Sequence, residues 1–235
     1  MTNFGERLIK IKYLYSRVAV HQFGSLTLTM TFLVPTKAQC YQMMCEMKMM
    51  DHIVVHSMQV CRVATYLTDY LAGQHPHLNT KMIRSAALLH DITKTRSFNT
   101  GEDHALSGSR FLADRGYPEV GDLVRQHVVL DEYGATKIPV EAEIINYADK
   151  RVLHDEIVDL ERRLDYILVR YAKKAEHRKR IYLLWEKTKH MENRIFSDLP
   201  FSPEDLNRIL NSEDRSVELT EYQRVCHLNS DSEDV

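Results

Sequence analysis

The residues with the clearest chemical potential are an imidazole and a carboxylate side by side. They are His90-Asp91, within the run Leu88-Leu89-His90-Asp91-Ile92-Thr93-Lys94. Upstream, Met82, Ile83, Ala86 and Ala87 recur at helical spacing, and extending that stripe brings His90 onto the apolar face. Asp91 follows at the helix end. A carboxylate beside a buried imidazole is costly unless it is paired or bound to a cation, so the pair calls for partners elsewhere in the chain.

Four other segments offer them. His56 falls on a stripe of Ile53, Val60, Val63 and Leu67. His127 extends a stripe set by Leu123 and Val124, Asp149 lies among Ile145, Ala148 and Val152, and His104 opens a helical segment over 104–115. Any one of these alone reads as a core group hydrogen-bonded to backbone, since buried polar groups usually find ordinary partners. A core that satisfied each of them separately is a heavier demand than one in which they share a divalent cation. Imidazole and carboxylate together suit Zn, Fe, Mn, Co or Ni, and carboxylates also suit Mg.

In chain order His56, His90-Asp91 and Asp149 spell H…HD…D, which resembles the HD superfamily of metal-dependent phosphohydrolases. The run from Leu88 to Lys94, followed by His104-Ala105-Leu106-Ser107-Gly108 and then His127, is similar to its HDIG-type branch, and the resemblance extends over residues 44–170. Thr93 departs from that pattern, standing where the branch usually has glycine, and puts the local loop shape in question. The resemblance implies an all-α, HD-domain helical bundle with a metal site in its core. It implies His56, His90, Asp91 and Asp149 as ligands of one divalent cation. His104 and His127 complete a second metal site, with Asp91 bridging, or else contact substrate phosphate. Lys94 is implied as a phosphate-binding lysine; as a residue it reads equally as a helix-end cation complementing the dipole.

The expected activity is cleavage of a phosphoester of a nucleotide or similar small substrate by metal-activated water, with Asp91 and Lys94 as the catalytic pair. Two other readings stand beside it. One is a regulatory module that holds a nucleotide without turnover. The other is a nucleic-acid-binding protein working through residues 161–180, where eight Lys/Arg face three acids. That stretch lacks aromatic interleaving and reads more simply as a solvated helix face.

The elements that must position these groups are helices. Residues 52–72 form a long one closed by Gly73 in a left-handed role, and Asn79 caps 80–90. Residues 97–103 read as a loop, Asp103 caps the helix of His104, and Pro139 suits the first turn of the helix of Asp149. Gly108 inside a helix costs roughly 1 kcal/mol relative to Ala, which close approach of another group or of a substrate phosphate would explain. His75-Pro76-His77 reads as a linker, and the methionine run over 43–50 as core filler.

Residues 157–171 and 181–195 carry two amphipathic helical patterns, Ser202 and Pro203 start a short helix, and 230–235 is an acidic end expected to be disordered. Residues 1–35 read as an N-terminal extension with a strand pattern over 25–34, residues 36–195 as the helical domain, and 196–235 as a short helix and tail. A formal net charge of −2 points neither to nucleic acid nor to a membrane surface, and no apolar run approaches a membrane span. Cys40, Cys45, Cys61 and Cys226 form no C-x-x-C pair and read as reduced thiols in a cytoplasmic protein.

Overall fold

The computed structural model describes residues 32–134, 138–211 and 216–230. The chain divides into two units, Met1–Phe32 and Leu33–Val235, and the second carries every feature discussed below. The strand pattern over 25–34 falls outside the described residues except at 32–34, which have no regular structure, and the acidic end from 231 onward also lies outside them.

Helix α1 (Lys37–Glu46) starts in a capping box, with the Gln39 N–H donated to Thr36 Oγ1 and the Thr36 N–H to Gln39 Oε1. Met43, Met44 and Met49 are buried in the core, while Met50 is exposed. The long helix α2 (Asp51–Leu71) buries Ile53, His56, Val60, Val63, Leu67 and Leu71 along one stripe. It packs against α3 (Thr80–Leu89) and α7 (Glu141–Lys150), which carry or lead into further candidate ligands. Gly73 does not adopt a left-handed backbone, contrary to the expected cap role.

Asn79 caps α3 by accepting the Met82 N–H. The chain then turns through His90–Thr93 into α4 (Lys94–Thr100), which replaces most of the loop expected over 97–103. This short polar helix buries no residue, so it leaves no hydrophobic period to read. Gly101, at φ 69°, closes it in the left-handed conformation. Asp103 caps α5 (His104–Asp114) through the N–H groups of Ala105 and Leu106.

Helix α6 (Pro118–Arg125) packs tightly on α5. A Cβ on Gly121 would stand 2.7 Å from the Ser109 carbonyl oxygen, so only glycine permits this approach. Gly108 is explained the same way, by side chains and not by a phosphate: a Cβ there would meet Ile92 Cγ2 and Val124 Cγ1 at 3.2 Å.

Helix α7 begins at Glu141, whose neighbour Val140 donates its N–H to Glu143 Oε2; Pro139 therefore precedes the helix and is not in its first turn. A two-stranded hairpin, β1 (Val152–Leu153) and β2 (Glu156–Ile157), follows directly. It is the one departure from all-helical structure among the described residues. Then come α8 (Leu160–Tyr171), α9 (Ala175–Phe196), α10 (Pro203–Asn211) and α11 (Ser216–Ser230). Ser202 and Asp205 cap α10 reciprocally.

Arg151, at the end of α7, is fully buried and donates to the Val158 and Pro203 carbonyls, to Tyr147 Oη and to Glu192. A buried guanidinium needs such partners. Together they fasten α7, the hairpin, α9 and α10 into one body.

The region from 196 onward is more than a short helix and a tail, because Leu206, Leu210 and Tyr222 enter the same core. The expectation of four reduced thiols fails for one pair: Cys45 and Cys226 form a disulfide across a sequence separation of 181. With Lys37–Glu221 at 2.6 Å, it pins α11 to α1. The cysteines therefore no longer argue for a reducing compartment. Cys40 and Cys61 are free, and burial pushes the Cys40 thiol up to about 12. No helix among the described residues is long and apolar enough to cross a membrane.

Candidate metal centre

Helix α2 delivers His56, the end of α3 delivers His90 and Asp91, α5 opens on His104, the turn after α6 places His127, and α7 carries Asp149. These six residues, far apart in sequence, converge on one point of the core. His90, Asp91 and His127 are buried almost completely, while the His104 side chain is 25 % exposed and gives the cluster an open side.

Two overlapping ligand sets form. In one, His56, His90 and Asp149 bring a nitrogen or oxygen within 4.8 Å of one another; in the other, His90, Asp91 and His127 do so. His90 belongs to both sets, with Asp91 beside it. Its Oδ2 is 3.3 Å from His90 Nε2, and its Oδ1 is 3.3 Å from His104 Nε2 and 3.5 Å from His127 Nε2. On the other side Asp149 Oδ1 lies 3.1 Å from His56 Nε2 and 3.6 Å from His90 Nε2.

The backbone decides which nitrogen of each ring carries the proton. His90 Nδ1 is 2.8 Å from the Ala87 carbonyl, His127 Nδ1 is 2.7 Å from that of Val124, and His56 Nδ1 is 3.0 Å from that of His154. A carbonyl only accepts, so each Nδ1 donates. In the neutral ring the Nε2 lone pair is then left facing the centre. His90 Nε2 and Asp91 Oδ1 are buried with no hydrogen-bond partner. Orphaned buried acceptors are costly, and a cation among them satisfies both at once. The donor set of imidazole nitrogens and carboxylate oxygens therefore fits a divalent cation, with His56, His90 and Asp149 in one position and Asp91 and His127 beside it, and His104 within reach.

Both carboxylates are held ionised. Burial works against the charge of Asp91, but His90 and Lys94 outweigh it and keep the carboxyl well below the usual range. Burial likewise opposes the charge of Asp149, and the close approach of His56 and the charge of Arg163 outweigh it. Lys94 donates to Asp91 Oδ2 at 2.7 Å with a side chain 33 % exposed. It opens α4 and ends no helix, so the dipole-complementing reading does not describe it.

Several groups that shape the site have no signature of their own in the sequence. His154, at the hairpin tip, has φ 58°, a conformation residues with a Cβ rarely adopt. Its carbonyl takes His56, and the Asp155 carbonyl takes Gln59 Nε2 at 2.7 Å. Thr93 is fully buried, and its Oγ1 donates to the His104 carbonyl at 2.8 Å and lies 2.8 Å from Ser107 Oγ. The residue that departs from the branch pattern thus ties the His90-Asp91 turn to the helix of His104. With φ −105° it asks for no glycine.

His75 and His77 are structural, meeting Asp198 Oδ2 and the Pro139 carbonyl.

No curated protein and no solved structure matches the chain. Residues 53–152 match the family model described as HD domain, a segment that contains all six converging residues, and this match supports the HD superfamily, mostly metal-dependent hydrolases, for that part of the chain.

Proposed function

We propose that the protein is a metal-dependent phosphohydrolase of the HDIG-type branch, cleaving a phosphoester of a nucleotide or similar small substrate. The observation that carries this reading is the pair of buried, partnerless acceptors, His90 Nε2 and Asp91 Oδ1, inside a ring of lone pairs whose direction the backbone sets. A bound divalent cation supplies Lewis acidity there, acidifying water and polarising a phosphoryl oxygen.

The chain's own residues do the rest. Asp91, ionised, would be the carboxylate shared by two cations, its Oδ1 facing His104 and His127 and its Oδ2 facing His90. Lys94 reaches Asp91 from the rim, so the same ammonium meets a phosphoryl oxygen presented there. It stabilises the charge that grows as the ester bond breaks. His104, partly exposed at the open side, lies where it can complete a second cation site or contact the phosphate.

Elemental analysis of the purified protein, coupled to a nucleotide and phosphomonoester panel with each divalent metal, tests the reading. Bound metal together with turnover supports it. Bound metal with nucleotide binding but no turnover, across the whole panel, replaces it with a regulatory module.

A further inference from the structure

Helix α8 lies beyond the matched segment, yet its first turns meet the hairpin tip whose carbonyl holds His56. Arg163 stands there, partly buried. Its Nε is buried without a hydrogen-bond partner, and it forms no ion pair among the described residues. A sequestered guanidinium N–H without an acceptor is rare in a folded protein.

A short chain of contacts fixes its position. The Arg163 guanidinium lies 5.7 Å from the Tyr166 ring centre. Tyr166 meets the His154 ring edge-on at 5.3 Å. The His154 carbonyl holds His56, which faces Asp149. One ring and one hairpin tip thus join Arg163 to the ligand set. Arg163 therefore stands on the His56–Asp149 side of the centre.

Farther along the helix, seven residues or about 10 Å of rise, Arg170 lies over the ring of Tyr171 at 5.9 Å. Tyr171 is 56 % exposed. The span from Arg163 to an accessible aromatic ring suits a phosphate joined to a planar base.

We propose that Arg163 is a substrate-binding residue of this site, its guanidinium taking a phosphoryl oxygen at the Asp149 end while Lys94 takes another at the Asp91 end. The inference rests on the phosphohydrolase reading and narrows its substrate to a nucleotide lying along α8. A planar fork of donors suits a phosphate better than it suits a single oxygen ligand, and the free Nε is the donor left for it. A cation serving only to neutralise Asp149 would need no free donor.

The test is calorimetric titration of inorganic phosphate and adenosine monophosphate into the manganese-loaded full chain, with metal content counted in every variant. Arg163→Gln is expected to weaken both ligands by about tenfold or more, the value of one charge-assisted hydrogen bond, while metal content stays at the wild-type level. Arg163→Lys, which keeps the charge but not the fork, is expected to fall between the two and guards against a folding defect in the glutamine variant. Equal affinity in wild type and Arg163→Gln overturns the role of Arg163 and leaves the phosphohydrolase reading standing. Loss of metal in Arg163→Gln overturns it too, by making the residue a support for Asp149. A metal-loaded wild type that neither binds nor hydrolyses phosphate compounds overturns both.

Discussion

Asp91 Oδ1 faces His104 Nε2 across 3.3 Å, while the other oxygen of the same carboxylate holds Lys94 at 2.7 Å. Metal counting separates the role of this carboxylate from those around it. Asp91→Ala is expected to lower bound metal towards zero, whereas His104→Ala or His127→Ala lowers it from two ions per chain towards one. If the wild type saturated with Mn or Fe holds one ion per chain, His104 and His127 are reassigned to substrate phosphate.

Lys94 approaches the centre from the rim and is no metal donor while it is charged. Lys94→Ala is therefore expected to leave metal content intact and to lower kcat by roughly 10²–10³-fold, the loss typical of a group that stabilises developing charge. Steady-state kinetics with metal analysis on the same sample checks it, and unchanged kcat removes Lys94 from the chemistry.

Thr93 anchors the turn through two side-chain contacts at 2.8 Å. Thr93→Val removes the donor to the His104 carbonyl in a fully buried place, and a loss of about 1–3 kcal/mol is expected. Thr93→Ser keeps the hydroxyl and is expected to retain most of the bond. Chemical denaturation ranks the three proteins, and a valine variant as stable as wild type would show that the bond contributes nothing.

The two tight glycines separate by what blocks them. At Gly108 a methyl group gains helix propensity of about 1 kcal/mol but presses on fully buried Ile92 and Val124. Overpacking costs about 1–3 kcal/mol, so a small net loss is expected. At Gly121 the obstacle is the Ser109 backbone oxygen, which no rotamer change can move. Gly121→Ala is expected to be the more destabilising of the two in thermal melts, and the reverse order contradicts the packing argument.

The cross-link between Cys45 and Cys226 closes most of the chain into a loop. Cys45→Ser is expected to lose about 2–4 kcal/mol, and reductant is expected to lower the Tm of the wild type but not of the variant. Equal response of both proteins to reductant would show that the bridge does not form in solution.

The sequence by itself determined the helices that carry an apolar stripe and the polar residues they point inward. A 3.6-residue period is a local property, so His56, His90, His127 and Asp149 could each be placed on an apolar face without knowing what that face met. The tertiary structure alone decided how those faces combine. The carbonyls of Ala87, Val124 and His154 set the imidazole tautomers, and a carbonyl carries no residue signature.

The disulfide depended on two helices meeting from opposite ends of the domain, a distance that residue spacing does not encode. Helix α4 buries nothing and so shows no period. Helix α11 sends Tyr222 into the core and is otherwise tied down by a covalent bond and an ion pair. Arg163 looked like one cation in a basic stretch, and its orphaned Nε emerged only when α8 came to rest beside the centre. Local periodicity fixes which way a side chain points, but whether a buried polar atom finds a partner depends on neighbours that only the folded chain supplies.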